Sequence, residues 1–90
     1  MPLYTFIMEF AGGTYVSQVV AENPKTACLL WAMNLKAEEV HSFGEKSKIQ
    51  LVEQMKATEP TALQGIINTW YVSANLRRGN AYINLVQTIE

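Results

Sequence analysis

The chain has no aspartate, one cysteine and one histidine in 90 residues, and each shortage removes a class of chemistry. A lone cysteine, Cys28, has no partner for an internal disulfide. A lone histidine, His41, is too little for a multi-histidine metal centre. The eight acidic residues are all glutamate and are nearly balanced by seven lysines and arginines, for a net charge of −1. No long-range field therefore draws in nucleic acid or acidic lipid, and polyanion binding would need a local patch. The longest unbroken apolar run, "ACLLWAM", is far shorter than the roughly 20 residues that span a bilayer. No basic region followed by an apolar core and a small-residue cleavage site opens the chain. The expectation is an intracellular, cytoplasmic chain of bacterial or phage-like size, with no membrane partner, no metal and no cofactor.

What remains is a composition suited to folding. Hydrophobic residues make up 49% and charged residues 17%, enough apolar surface to offset the entropy of ordering. Residues 1–90 read as a single globular domain. A domain this small buries only about 60–65% of its unfolded surface, so association with a second copy is a natural way to bury more.

"LYTFIMEFAGGTYVSQVVAE" reads as a β-hairpin turning at Gly12-Gly13, with Phe10 opposite Tyr15, Met8 opposite Ser17 and Phe6 opposite Val19. Asn23-Pro24 then supplies an N-cap and a proline at the first helical position, predicting a helix to about Ala37. From Ala27 to Met33 that helix is apolar nearly all round, so a second element, either the later helix or another copy, must cover it besides the sheet. A break at Ser42-Phe43-Gly44 precedes a second helix, from about Glu45 to Ala57, with an apolar stripe of Ile49, Val52 and Met55. "TEPTALQG" reads as a connection back to the sheet.

"WYVSANLRRGNAYINLVQTIE" forms the second hairpin, its loop at Arg78-Gly79 or Gly79-Asn80. Strand parity puts Trp70, Val72, Ala74, Leu76, Ala81, Ile83, Leu85 and Ile89 on a core face. The opposite face collects Tyr71, Tyr82 and short polar residues. The fold class is α+β, in the order β-β-α-α-β-β: a four-stranded antiparallel sheet with both helices packed on one face.

Two stretches resemble known modules. "VHSFGEKSKIQLVEQM" resembles the turn and second helix of helix-hairpin-helix DNA-binding modules, though lysine stands at Lys46 where that pattern has a second glycine. The resemblance implies phosphate contact at the helix start, with Lys46 and Lys48 nearby. "AGGTYVSQVVAENPKTA" is similar to the opening strands and helix of small HicB-like antitoxin domains, but it lacks their proline- and cysteine-containing segment between strand and helix. Neither likeness assigns the chain to a family.

Catalytic arrangements are thin. Cys28 lies in the most apolar stretch, where burial makes a thiol inert, and His41 is its only possible imidazole partner. Glu38 and His41 share one side of a helix end, but a metal would need more ligands. Glu9 and Glu22 fall near opposite ends of a hairpin, too far apart to share a substrate. The expected function is a non-enzymatic protein-interaction or self-associating domain, with either the edge strands or the helix residues Leu29, Leu30, Trp31 and Met33 as the contact surface. The alternative is a nucleic-acid-binding accessory protein in which Tyr71 and Tyr82 stack bases while Arg77, Arg78, Lys46 and Lys48 meet phosphates. A small enzyme or ligand-binding fold acting between two copies, with a pocket lined by Glu38, His41 or Tyr82, is a third option. Self-association through Trp31 requires that its ring be uncovered in a single copy.

Overall fold

The computed structural model describes residues 1–89. Five strands and two α-helices follow one another: β1 (Leu3–Phe10), β2 (Gly13–Val20), α1 (Pro24–Asn34), a single 3₁₀ turn at Ala37–Glu39, α2 (Gly44–Ala57), β3 (Thr61–Ala62), β4 (Thr69–Leu76) and β5 (Gly79–Gln87). The strands form one antiparallel sheet in the order β2-β1-β5-β4-β3. The expected α+β architecture is present, with five strands instead of four. The added strand is the two-residue β3 inside "TEPTALQG", where Pro60 blocks helix and leaves an edge position open to the chain.

Alternation decides which face is buried. Tyr4, Phe6, Met8 and Phe10 of β1 are buried, as are Val72, Ala74 and Leu76 of β4 and Ala81, Ile83 and Leu85 of β5. The helices cover this face. Trp31 of α1 stacks on Phe6 with centroids 4.9 Å apart and planes 4° from parallel, and Phe43 meets Phe10 edge-on at 5.5 Å. Ile89, expected in the core, lies beyond the end of β5 and is exposed.

Both hairpins keep the expected faces but shift register by an even number of residues. The first turns at Ala11-Gly12, not Gly12-Gly13, so Phe10 pairs with Gly13, Met8 with Tyr15 and Phe6 with Ser17. Ala11 and Gly12 both have positive φ, 50° and 82°, as a two-residue hairpin loop requires. A Cβ at Gly13 would stand 2.7 Å from the Tyr15 hydroxyl, so a side chain there would have to displace that ring from its bond with the His41 amide. Replacing Ala11 with Asn, which tolerates left-handed backbone, is expected to raise stability by about 1 kcal/mol in urea titration. The second hairpin turns at Arg77-Arg78, with Leu76 paired to Gly79.

The Asn23 cap forms as expected, its side-chain oxygen accepting from the Thr26 amide at 2.8 Å. The helix stops at Asn34, short of Ala37, and the chain continues through the 3₁₀ turn. In α2 the buried residues are Ser47, Leu51 and Met55, spaced four apart, with Val52 partly covered. Ile49, assigned to the apolar stripe by its spacing, faces solvent. The line of four-residue steps follows the helix surface more closely than three-residue steps do, and it runs through Ser47.

Candidate functional site

The structure separates the side chains that the sequence suggested would act together. On α1, Ala27, Cys28, Trp31 and Ala32 are buried, Leu29 and Leu30 pack partly against the core, and Met33 is 51% exposed. The second cover on α1 is α2, which packs beside it over the same sheet face. Trp31 is only 2% exposed in a single copy, so its ring has no surface left to offer a partner. Of the four helix residues proposed as a contact surface, only Met33 projects into solvent.

The nucleic-acid set also splits. Tyr71 and Tyr82 lie on the open sheet face as diagonal neighbours, since Tyr71 pairs with Asn84 and Tyr82 with Ser73. Glu9 pairs directly with Tyr82 and puts a carboxylate beside it. Arg77 and Arg78 instead line a hollow on the helix side with Phe43, Gly44, Glu45 and Lys46. Lys48 is half-buried along α2. Gly44 begins α2 with φ of +74°, and no side chain caps the helix start.

Cys28 is not primed as a nucleophile. Burial pushes the Cys28 thiol up to about 12, with Lys25 opposing only in part. At neutral pH it is a thiol and packs as a small apolar group. His41 and Glu38 are both exposed, and the His41 backbone amide donates to the Tyr15 hydroxyl at 3.0 Å. Among the described residues no three histidine, cysteine or acidic side chains gather as metal ligands. Glu9 accepts from the Thr14 hydroxyl at 2.9 Å on the open sheet face. No helix among the described residues is long and apolar enough to cross a membrane.

What the sequence reading missed is a difference between the two sheet edges. Along β4, alternate backbone groups point away from β5, and most of them have partners. Thr69 accepts from the Leu63 amide at 3.0 Å, and Tyr71 pairs with Thr61 of β3. Farther along, α2 takes over: Gln54 accepts from the Asn75 amide at 2.8 Å and donates to its carbonyl at 2.6 Å. Gln50 accepts from the Arg77 amide at 2.8 Å. Two glutamines on an ordinary polar helix face thus act as a surrogate strand.

The β2 edge has no such cover. A two-residue hairpin closes on a hydrogen-bonded pair, here Phe10 and Gly13, so Gly13, Tyr15, Ser17 and Val19 bond to β1. The Ala21 amide continues this phase by donating to the Pro2 carbonyl at 3.1 Å. Thr14, Val16, Gln18 and Val20 therefore aim their amides and carbonyls outward, where no strand follows. The strand contains no charge and no proline, the devices that ordinarily discourage edge pairing. Val16 and Val20 are 64% and 53% exposed. Beneath this edge run two hollows of about 230 and 240 Å³, both walled by Leu35, Lys36 and Glu39. No protein-family model, curated protein or solved structure matches the chain.

Proposed function

We propose that the chain is a non-enzymatic interaction domain that self-associates or docks on another protein through the β2 edge. The observation that carries this reading is the contrast between the edges: one is largely closed by β3 and the α2 glutamines, while the uncharged β2 leaves the outward groups of four residues unpaired. Unpaired strand groups are costly to bury alone but readily satisfied by another strand, so an open edge next to exposed valines favours partner binding. An unpaired, buried Cys28 suits a reducing cytoplasmic setting.

A second reading, contact with a phosphate-bearing nucleic acid, is favoured by the grouping of Arg77, Arg78 and Lys46 in one hollow. The two readings separate in one experiment: light scattering at low salt, with the ratio of nucleic-acid to protein absorbance followed across the peak. A multiple of 10.1 kDa with protein-like absorbance is expected, unchanged when Arg77 and Arg78 are both replaced by Ala. Excess mass with nucleic-acid absorbance, lost in the double variant or at high salt, would reverse the order of the readings.

A further inference from the structure

We infer that the occupant of the β2 edge is the β2 strand of a second copy, joined about a two-fold axis at Ser17 to give one continuous ten-stranded sheet. This rests on the interaction reading above and adds to it the partner, the register and the ion pairs that select it.

The register follows from which groups point outward. Only Thr14, Val16, Gln18 and Val20 present outward amides and carbonyls. An antiparallel two-fold pairing of β2 with itself must match these residues with one another. Pairing Val16 with Gln18 of the second copy, and Thr14 with Val20, uses all of them on both strands. Shifting by two residues in either direction leaves at least one outward residue of each copy without a partner. The fully matched register puts Ser17 against Ser17 on the axis, as a pair without direct backbone bonds. A two-fold axis perpendicular to the sheet keeps the helices of both copies on the same side, and it makes the interface isologous and closed.

Charge complementarity selects a second copy as the occupant. β2 carries no charge, so self-pairing sets no like charges across the seam on the open face. On the helix side, the segment from Asn34 to Val40 lies alongside β2. Asn34 borders the hollow at Ser17 to Val19, and Val40 borders the hollow at Thr14 to Ser17, with Lys36 and Glu39 between them. Rotation about Ser17 reverses this order in the second copy and brings Lys36 of each copy toward Glu39 of the other, twice. Among the described residues neither side chain forms an ion pair within its own chain. Val16 and Val20 acquire Gln18 and Thr14 as neighbours on the open face, which covers part of their exposed surface.

The test joins native mass with cysteine cross-linking. In Ser17→Cys, two thiols on the axis lie about 4.5 Å apart at their Cα atoms, within disulfide range. Mild oxidation is expected to link most of the chain as a dimer. Gln18→Cys, whose equivalents sit diagonally apart on the open face, is expected not to link. Cys28 is buried and protonated, and does not compete. Val16→Pro removes an amide that points away from β1, so the monomer fold is retained, and dimerisation weakens at least about tenfold from two lost donors. Circular dichroism checks that the variant is folded.

A wild-type dimer that does not respond to Val16→Pro, together with no linkage in Ser17→Cys, would overturn the β2 seam and leave self-association through another surface standing. Linkage in Gln18→Cys but not in Ser17→Cys would overturn the register. A wild-type chain that stays monomeric at millimolar concentration would overturn self-pairing altogether and leave the edge to an extended segment of a different protein.

Discussion

Trp31→Glu is expected to unfold the chain, whereas Met33→Glu, two residues along the same helix, is expected to leave its stability within about 0.5 kcal/mol. Trp31 is sealed between the sheet and the helix layer, flat against Phe6 at 4.9 Å. Truncating a buried tryptophan to alanine costs about 3–5 kcal/mol, and a carboxylate in its place adds the desolvation of a charge with no cation beside it. Domains of this size have about 5–15 kcal/mol of stability, and small ones lie toward the low end. The substitution therefore removes most or all of it. Met33 is half exposed and lies outside the core cluster, so a carboxylate there stays hydrated. Thermal melts of both variants by circular dichroism, compared with their masses by light scattering, make the distinction. A folded Trp31→Glu chain with a changed mass would mean that the ring serves an interface and not the core.

This pair of substitutions also shows where sequence reasoning met its limit. An all-round apolar helix signals that two surfaces cover it, but composition cannot say whether the second belongs to the same chain. The answer lies in the path of α2, whose packing line runs through Ser47, Leu51 and Met55. Ser47 is fully buried and its hydroxyl finds no partner, a placement that no polarity pattern would suggest. Faces, by contrast, were legible. Strand parity survives an even shift of register, so Tyr4, Phe6, Met8 and Phe10 stayed inward although the turn moved to Ala11-Gly12. The turn lies at Ala11-Gly12, where both residues take positive φ, and Gly13 becomes the first residue of β2, close to the Tyr15 ring two positions along.

The candidate site was less legible than the fold, for a related reason. An edge is defined by what does not pair, and the strand order β2-β1-β5-β4-β3 emerges only when the two hairpins join through β1 and β5. Before that, β1 and β2 are equally plausible edges. Gln50 and Gln54 read as solvated helix residues until their bonds to the β4 backbone are seen. The absence of charge along "GTYVSQVV" was visible from the start, but it acquires meaning only once the strand is known to lie outermost. Negative features of this kind become informative after topology, whereas a catalytic constellation would declare itself before it.

The second large effect is expected at alkaline pH. Stability should fall by up to about 1.4 kcal/mol per pH unit between roughly pH 9 and pH 12. The Cys28 thiol, ordinarily near 9.0, is pushed up to about 12 by burial in the folded chain. Between those values the unfolded chain has released this proton and the folded chain has kept it, so rising pH favours unfolding. Below pH 9 both states hold the proton, and the contribution is fully present. Tyr4 acts in the same direction above its ordinary value of 10.0, raised chiefly by burial and further by a negative charge on neighbouring Cys28. Cys28→Ala separates the two groups. It loses some core packing, about 1 kcal/mol, but removes the thiol titration. The wild-type chain should be the more stable at pH 7, and by pH 11 the thiol's contribution, smaller there by roughly 2–3 kcal/mol, should reverse the order. Urea titrations of both chains across this range test it. Curves that stay parallel from pH 7 to pH 11 would show that the thiol ionises freely in the folded state and that the seal between α1 and the sheet around Cys28 is open.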